Sequence, residues 1–123
     1  MVAFLLRSIY YVYRDNYERM KEMSLKLRHE SGCLVAEISG EIDHHSAADL
    51  KERIDREYGR GTSKNLELNF SGVTFIDSSG VGMVIGRYKN VQTRGGIMSV
   101  SGLNSDVERL FELSGLHKIV ATK

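Results

Sequence analysis

The spacing of apolar residues predicts that strands and helices alternate through most of this chain. Apolar residues at alternate positions in residues 25–29 and 34–39 predict two strands, which a turn at residues 30–32 would join into a hairpin. Apolar positions three or four residues apart in residues 46–58 predict a helix. A hairpin followed by alternating helices and strands indicates an α/β fold, in which a mixed sheet carries a layer of helices.

The second half of the chain continues this alternation. Its pattern predicts strands at residues 66–70, 97–101 and 118–121, and helices at residues 79–92 and 105–113. In the last helix, the residues predicted to face the core are Val107, Leu110, Phe111 and Leu113. Ser105 precedes them and is predicted to cap the start of that helix.

Composition limits the protein to one ordinary globular domain. The chain has 123 residues, of which 41% are hydrophobic and 27% are charged. Its net charge of +1 gives no reason to expect a nucleic acid or an acidic membrane as partner. The single cysteine, Cys33, has no partner for an internal disulfide and is predicted to be a small core residue. We therefore expect a cytoplasmic protein.

The first 22 residues do not follow this pattern, so we predict an N-terminal extension (1–22) and a domain (23–123). On a helix, one face of the extension would carry Val2, Leu5, Leu6, Ile9, Tyr13 and Tyr17. The apolar run is shorter than the about 20 residues that span a bilayer, and Arg7 interrupts it. The extension is either an interfacial or partner-binding helix, or upstream sequence read in frame before a physiological start at Met23. We favour the second alternative.

The stretch Asp77-Ser78-Ser79-Gly80 lies between a predicted strand and a predicted helix. A helix N-terminus has unpaired N–H groups and a partial positive charge, and it accommodates a phosphate well. We therefore predict that Ser78 is a phosphorylation switch and not part of a catalytic centre. The alternative is that Ser78 or Ser79 only caps the helix.

Motifs typical of enzymes do not match. Gly80, Gly82 and Gly86 are spaced one residue too widely for a dinucleotide fingerprint, and they are predicted to bring the helix close to the sheet. There is no phosphate-binding P-loop and no nucleophile elbow. We predict no catalytic residue and no cofactor.

The adjacent residues His44 and His45 would diverge on any regular element, so they make a poor metal pair. With Asp43 they are predicted to form the entry to the first helix of the domain, where Asp43 is a candidate cap. This loop is expected at the same end of the sheet as Ser78. We predict no metal site.

Several segments resemble STAS domains, and within them the anti-sigma factor antagonists (anti-anti-sigma factors) of endospore-forming bacteria. The resemblance is carried by residues 40–45 (GEIDHH) and 75–82 (FIDSSGVG), with further matches at residues 86–89, 95–98 and 109–116. It covers about residues 23–120. It implies the STAS fold, a mixed sheet with helices packed mainly on one face.

The resemblance also implies a partner-switching function. Ser78 matches the serine that is phosphorylated by a partner that is both an ATP/ADP-bound serine kinase and an anti-sigma factor. The unmodified antagonist binds this kinase and frees the sporulation sigma factor F, and a PP2C-type serine phosphatase restores it. The protein would then be a substrate and regulator, not an enzyme. The partner-binding residues would be Asp43, His44, Asp77, Ser79, Gly80 and Val81.

Two features depart from the family pattern. The residues before Met23 are not part of it, and the chain stops at Lys123, where relatives of this type continue into a last helix. We therefore expect that helix to be missing or shortened. An alternative function is a STAS module with the same switch at Ser78 that serves a general-stress sigma factor or another signalling assembly. A third is direct nucleotide or lipid binding, which no phosphate-cradling motif supports.

Overall fold

The computed structural model describes the backbone of residues 2–123, and the side chains of all of them except Tyr13 and residues 15–22. The helices are α1 (Val2–Glu22), α2 (His44–Arg60), α3 (Ser78–Thr93) and α4 (Ser105–Ser114). The strands are β1 (Met23–Glu30), β2 (Cys33–Ile42), β3 (Asn65–Ile76), β4 (Met98–Ser101) and β5 (Ala121–Thr122). A single 3-10 turn, Leu116–Lys118, lies between α4 and β5.

The strands form one mixed sheet in the order β1-β2-β3-β4-β5. β1 is antiparallel to β2, and the other neighbouring strands are parallel. The hairpin turn consists of Ser31 and Gly32, with φ angles of 48° and 77°. Positive φ at both positions is typical of the tight turns that match the twist of paired strands. The predicted hairpin and mixed sheet are confirmed.

Three helices cover one face of this sheet. From β2 to β5, each parallel strand follows its neighbour through a helix, and the strand order advances in one direction. Because such crossovers are right-handed, α2, α3 and α4 lie on the same face. Phe70 of β3 and Phe111 of α4 pack edge to face, with ring centroids 6.0 Å apart. The predicted α/β fold, with helices mainly on one face, is confirmed.

The C-terminal segment differs from the prediction in three ways. Asn104 caps α4 by accepting a hydrogen bond from Val107 N (2.8 Å), so Ser105 is the first helical residue and not the cap. Leu113 is 76% exposed, and Leu116 is buried instead, because α4 ends at Gly115 with a φ of 79° and the chain turns back there. The last strand is Ala121–Thr122 and not residues 118–121.

The prediction that Cys33 is a core residue was also wrong. It is partly exposed at the start of β2, while its neighbour Leu34 is fully buried in the core. Since side chains alternate along a strand, Cys33 lies on the sheet face opposite the helices. Burial, with a smaller contribution from Glu67, raises the pKa of its thiol. Cys33 is therefore a protonated thiol near the surface at neutral pH and not a core residue.

Helix α1 is a single helix whose described apolar side chains face solvent. Leu5, Leu6 and Ile9 are 56%, 61% and 63% exposed. The side chains of Tyr13 and Tyr17, predicted for the same face, lie outside the described residues. Along residues 2–123, no helix combines the length and the apolar content needed to cross a membrane.

We propose that the domain folds without the extension. Deleting residues 1–22 is expected to leave the unfolding temperature essentially unchanged, because Leu5, Leu6 and Ile9 bury little surface. If such side chains covered the core, each would contribute about 1.5–3 kcal/mol, and the loss would be plain in a melting curve. A shortened protein that aggregates or melts far lower would show that the extension is structural.

Candidate functional site

Two loops meet at the carboxyl edge of β2 and β3. Ile42 and Ile76, the last residues of these parallel strands, are register partners. Each is followed by an aspartate and then by a helix, Asp43 before α2 and Asp77 before α3. The backbone N–H of Asp77 donates to the carbonyl of Ile42 (3.1 Å), which joins the loops directly. The expectation that both loops lie at one end of the sheet is confirmed.

Asp43 caps α2, as predicted. Its Oδ1 accepts hydrogen bonds from the backbone N–H groups of His45 (2.9 Å) and Ser46 (3.0 Å). The Asp43 N–H donates in return to the Ser46 hydroxyl (2.9 Å), which completes a capping box. Sequence analysis missed Ser46, although its position three residues after Asp43 is the signal for this motif. The cap fixes the direction in which α2 leaves the sheet.

Asp77 caps α3 and also links the two loops. Its Oδ1 accepts from the backbone N–H groups of Ser79 (2.8 Å) and Gly80 (3.2 Å). Its Oδ2 accepts from the backbone N–H of His44 (3.2 Å), at the start of α2. The alternative that Ser78 or Ser79 caps the helix is therefore wrong. Strand β3 continues to Ile76, so the position before the first helical residue belongs to Asp77.

Ser78 is the first residue of α3, and its side chain is exposed. Its hydroxyl makes no hydrogen bond to any described residue; the capping bonds of the loop all go to Asp77. Ser79 and Val81 are half-buried, and Val81 packs against the core. Neither the Ser78 nor the Ser79 hydroxyl makes a hydrogen bond to the described residues, and Ser78 is the more exposed of the two.

The three glycines of α3 have different surroundings. A Cβ on Gly80 would lie 2.3 Å from Ile76 Cγ1 and 3.0 Å from Ile42 Cγ2, so this glycine does bring the helix close to the sheet. A Cβ on Gly82 or Gly86 would meet nothing within 4 Å. The predicted close approach is right for Gly80 and wrong for Gly82 and Gly86. Gly80 faces inward, so its neighbours Ser78, Ser79 and Val81 provide the accessible surface at the start of α3.

The carboxylate of Asp43 keeps one oxygen available. Its cap bonds all use Oδ1, and Oδ2 has no hydrogen-bond partner among the described residues. Partial burial alone would raise its pKa, but the N–H bonds from Ser46 and His45 prevail and hold the pKa below its usual value. Asp43 is therefore ionised at neutral pH. No basic side chain in the described part of the chain forms an ion pair with Asp43 or Asp77.

The site lacks the partners of a catalytic nucleophile. No described histidine or carboxylate accepts a hydrogen bond from the Ser78 hydroxyl, and adjacent His44 and His45 point into solvent with ring centroids 5.7 Å apart. Within the described residues, no three His, Cys, Asp or Glu side chains are grouped to hold a metal ion. The arrangement offers an exposed hydroxyl, that of Ser78, at a site where two adjoining helices each begin after an aspartate.

Comparison with known proteins assigns the domain to a family. The profile of the STAS domain matches residues 24–123. The chain belongs to the STAS domain family. This STAS domain is 36% identical over 98 residues to the anti-sigma F factor antagonist of Paenibacillus polymyxa, a match that covers 80% of this chain and 84% of that protein.

Two further similar proteins are also anti-sigma factor antagonists. The anti-sigma-B factor antagonist of Bacillus subtilis (strain 168) is 29% identical over 98 residues, which is 80% of this chain and 88% of that one. The solved structure of the anti-sigma factor antagonist SpoIIAA in its unphosphorylated form superposes with a TM-score of 0.72 at 27% identity. That match covers 81% of this STAS domain and 88% of SpoIIAA.

Proposed function

We propose that this STAS domain is an anti-sigma factor antagonist that is switched by phosphorylation of Ser78. The observation that carries the proposal is the exposed Ser78 hydroxyl at the first position of α3, while Asp77 alone caps the helix. The unphosphorylated form binds an anti-sigma factor that is also a serine kinase, and thereby releases a sigma factor. The phosphorylated form does not bind, and a PP2C-type serine phosphatase regenerates the active form.

The electrostatics of the loop account for such a switch. A phosphate on Ser78 would add about 1.5 to 2 negative charges beside Asp77. The helix dipole offsets part of this repulsion by about 0.3–1 kcal/mol, so the fold survives. A partner that closes over the loop must bury the charge, which costs several kcal/mol unless cations match it. Since about 1.4 kcal/mol is a tenfold change in affinity, one phosphate suffices to break the complex.

Within this function the protein is a substrate and regulator, not an enzyme. ATP or ADP belongs to the kinase, and the domain needs no cofactor, nucleic acid or membrane of its own. Asp43, His44, Asp77, Ser79, Gly80 and Val81 form or support the surface that the kinase covers. Because its proposed partner is an anti-sigma factor, we propose that the protein is cytoplasmic.

The sigma factor is proposed to be the sporulation factor F. The relative at 36% identity is an anti-sigma F factor antagonist, whereas the sigma-B antagonist is 29% identical over the same length. A role with a general-stress sigma factor is the second candidate, and it rests on that sigma-B relative. Incubation with purified kinases of both kinds and ATP distinguishes them, since only the cognate kinase should phosphorylate this protein efficiently.

The phosphorylation itself is tested by mass spectrometry. After incubation with the kinase and ATP, the peptide that contains residues 77–80 is expected to carry one phosphate, located on Ser78. Ser79 is disfavoured because it is half-buried and one residue further into the helix. A Ser78→Ala variant phosphorylated as fully as wild type would rule out the assignment.

Asp43 is expected to contribute to kinase binding through its open oxygen. An Asp43→Asn variant retains a side-chain oxygen that can cap α2, and asparagine is as good a cap as aspartate. It loses the charge that could pair with an arginine of the kinase. We therefore expect weaker binding by titration calorimetry at an unchanged unfolding temperature. Unchanged binding would show that Asp43 only caps α2 and does not contribute to kinase binding.

A further inference from the structure

A groove between α2 and α3 has features that the Ser78 loop does not explain. It encloses about 240 Å³ and begins at Ser79, one residue from the phosphate acceptor. Ala48 and Lys51 line it from α2, and Gly82, Gly86 and Arg87 line it from α3. The groove is therefore continuous with the proposed kinase surface, but it runs along the helices and away from the two loops.

The groove is open because two glycines of α3, Gly82 and Gly86, place no side chain in it. Glycine inside a helix is destabilising relative to alanine, so it is usually explained by a close approach of other atoms. Gly80 has such an explanation within the domain, whereas a Cβ at Gly82 or Gly86 would meet nothing within 4 Å. The open space lies outside the domain's own packing and is available to another molecule.

The unsatisfied hydrogen-bond donors of Arg87 are a second, independent indication that the groove binds a ligand. Its side chain is only 4% exposed, and Nε lies 2.8 Å from Asp55 Oδ1 of α2. That contact is an ion pair without the alignment of a hydrogen bond, and Nη1 has no hydrogen-bond partner either among the described residues. Buried donors are nearly always hydrogen-bonded, and arginine keeps its charge when buried. Arg87 is thus a charged group of the groove with an unused donor.

We propose that this groove receives an acidic side chain of the kinase that covers the Ser78 loop. A carboxylate accepts a charge-assisted hydrogen bond from a guanidinium N–H, and Nη1 of Arg87 is a donor without a partner among the described residues. Lys51 adds a second positive charge at the rim. The absence of side chains at Gly82 and Gly86 lets the backbone that carries the carboxylate come close to α3. This proposal rests on the function proposed above.

Binding measurements with the kinase that phosphorylates Ser78 test the groove. Calorimetric titration of the unphosphorylated protein into that kinase with ADP compares wild type with Gly86→Leu, which fills the groove, and Lys51→Glu, which reverses the charge at its rim. The matched controls are Gly59→Leu and Lys64→Glu. Gly59 is an exposed α2 glycine with equally open space, and Lys64 is an exposed lysine of the α2–β3 loop, at the opposite edge of the sheet.

Gly86→Leu and Lys51→Glu are each expected to weaken binding about tenfold or more, and the two controls are expected to bind like wild type. The unfolding temperature of Gly86→Leu should equal or exceed that of wild type, because leucine favours a helix more than glycine.

If both groove variants bind like wild type while Ser78 is still phosphorylated, the groove proposal fails and the switch stands. If Gly86→Leu alone weakens binding, the occupant is apolar and the proposed carboxylate is wrong. If no kinase phosphorylates Ser78, the proposed function fails first.

Discussion

A Ser78→Asp variant is expected to fold like wild type and to bind the kinase at least about tenfold more weakly. The added carboxylate lies at the first position of α3, where the helix dipole favours a negative charge by about 0.3–1 kcal/mol. It also lies beside Asp77, on the surface that the kinase covers in the proposed complex. Burying an extra unpaired charge there costs more than the dipole returns. Titration calorimetry and a melting curve measure the two effects separately.

Ser78→Ala is the control for this variant. It removes a hydroxyl that makes no hydrogen bond to the described residues, so neither stability nor binding should change. Without a phosphate acceptor, the variant should remain bound to the kinase in the presence of ATP, while wild type is released. If both Ser78→Asp and Ser78→Ala bind like wild type, the loop does not belong to the interface.

Replacing Gly80 by valine is expected to destabilise the domain by about 3 kcal/mol, which lowers the unfolding temperature by roughly 10–15 °C. The first added carbon alone would lie 2.3 Å from Ile76 Cγ1 and 2.9 Å from Ile76 Cδ1. Ile76 is buried at the end of β3, so the collision can be relieved only by moving α3 away from the sheet or by distorting the core. Thermal or chemical denaturation measures the loss.

The matched control is valine at Gly82, two residues further along the same helix. A Cβ there would meet nothing within 4 Å, and valine is a somewhat better helix former than glycine. Gly82→Val is therefore expected to leave stability unchanged or slightly raised. Equal losses at both positions would mean that the contact between Gly80 and the isoleucines does not control stability.

Patterns within a short window predicted the fold well. The spacing of Ala47, Leu50, Ile54 and Tyr58 predicted α2, and all four are buried. The alternation in the first two strands predicted the hairpin, and the tight turn at Ser31 and Gly32 closes it. These elements are decided by which side chains face the core, and that information is local.

Helix starts were harder to predict, because they depend on where a strand stops. Ser79 and Ser105 are good capping residues by type, yet Asp77 and Asn104 occupy the capping positions. The end of β3 is fixed by its pairing with β2 at Ile42 and Ile76, residues far apart in the chain. The same long-range pairing brings His44 N to the carboxylate of Asp77. No local pattern contains that contact, so sequence analysis missed it.

The residues of the site were predicted from the sequence, but the role of each residue was not. Asp43, Asp77 and Ser78 were all selected from the sequence. The structure separates their roles, because each aspartate caps a helix and Ser78 is left without an internal bond. Arg87 was noticed only as part of a family match. Its position between two helices depends on the packing of α2 against α3.

The hydrogen bonds of Asp77 also bear on how fast this protein can respond. Because the carboxylate holds the start of α3 and the start of α2 together, both helices are already formed around Ser78 before any modification. Adding or removing a phosphate then requires no segment to fold, unfold or change partners within the domain. In the proposed switch, we expect the delay between a signal and release of the sigma factor to be set by the turnover of the kinase and phosphatase, with no slow conformational step of this protein in between.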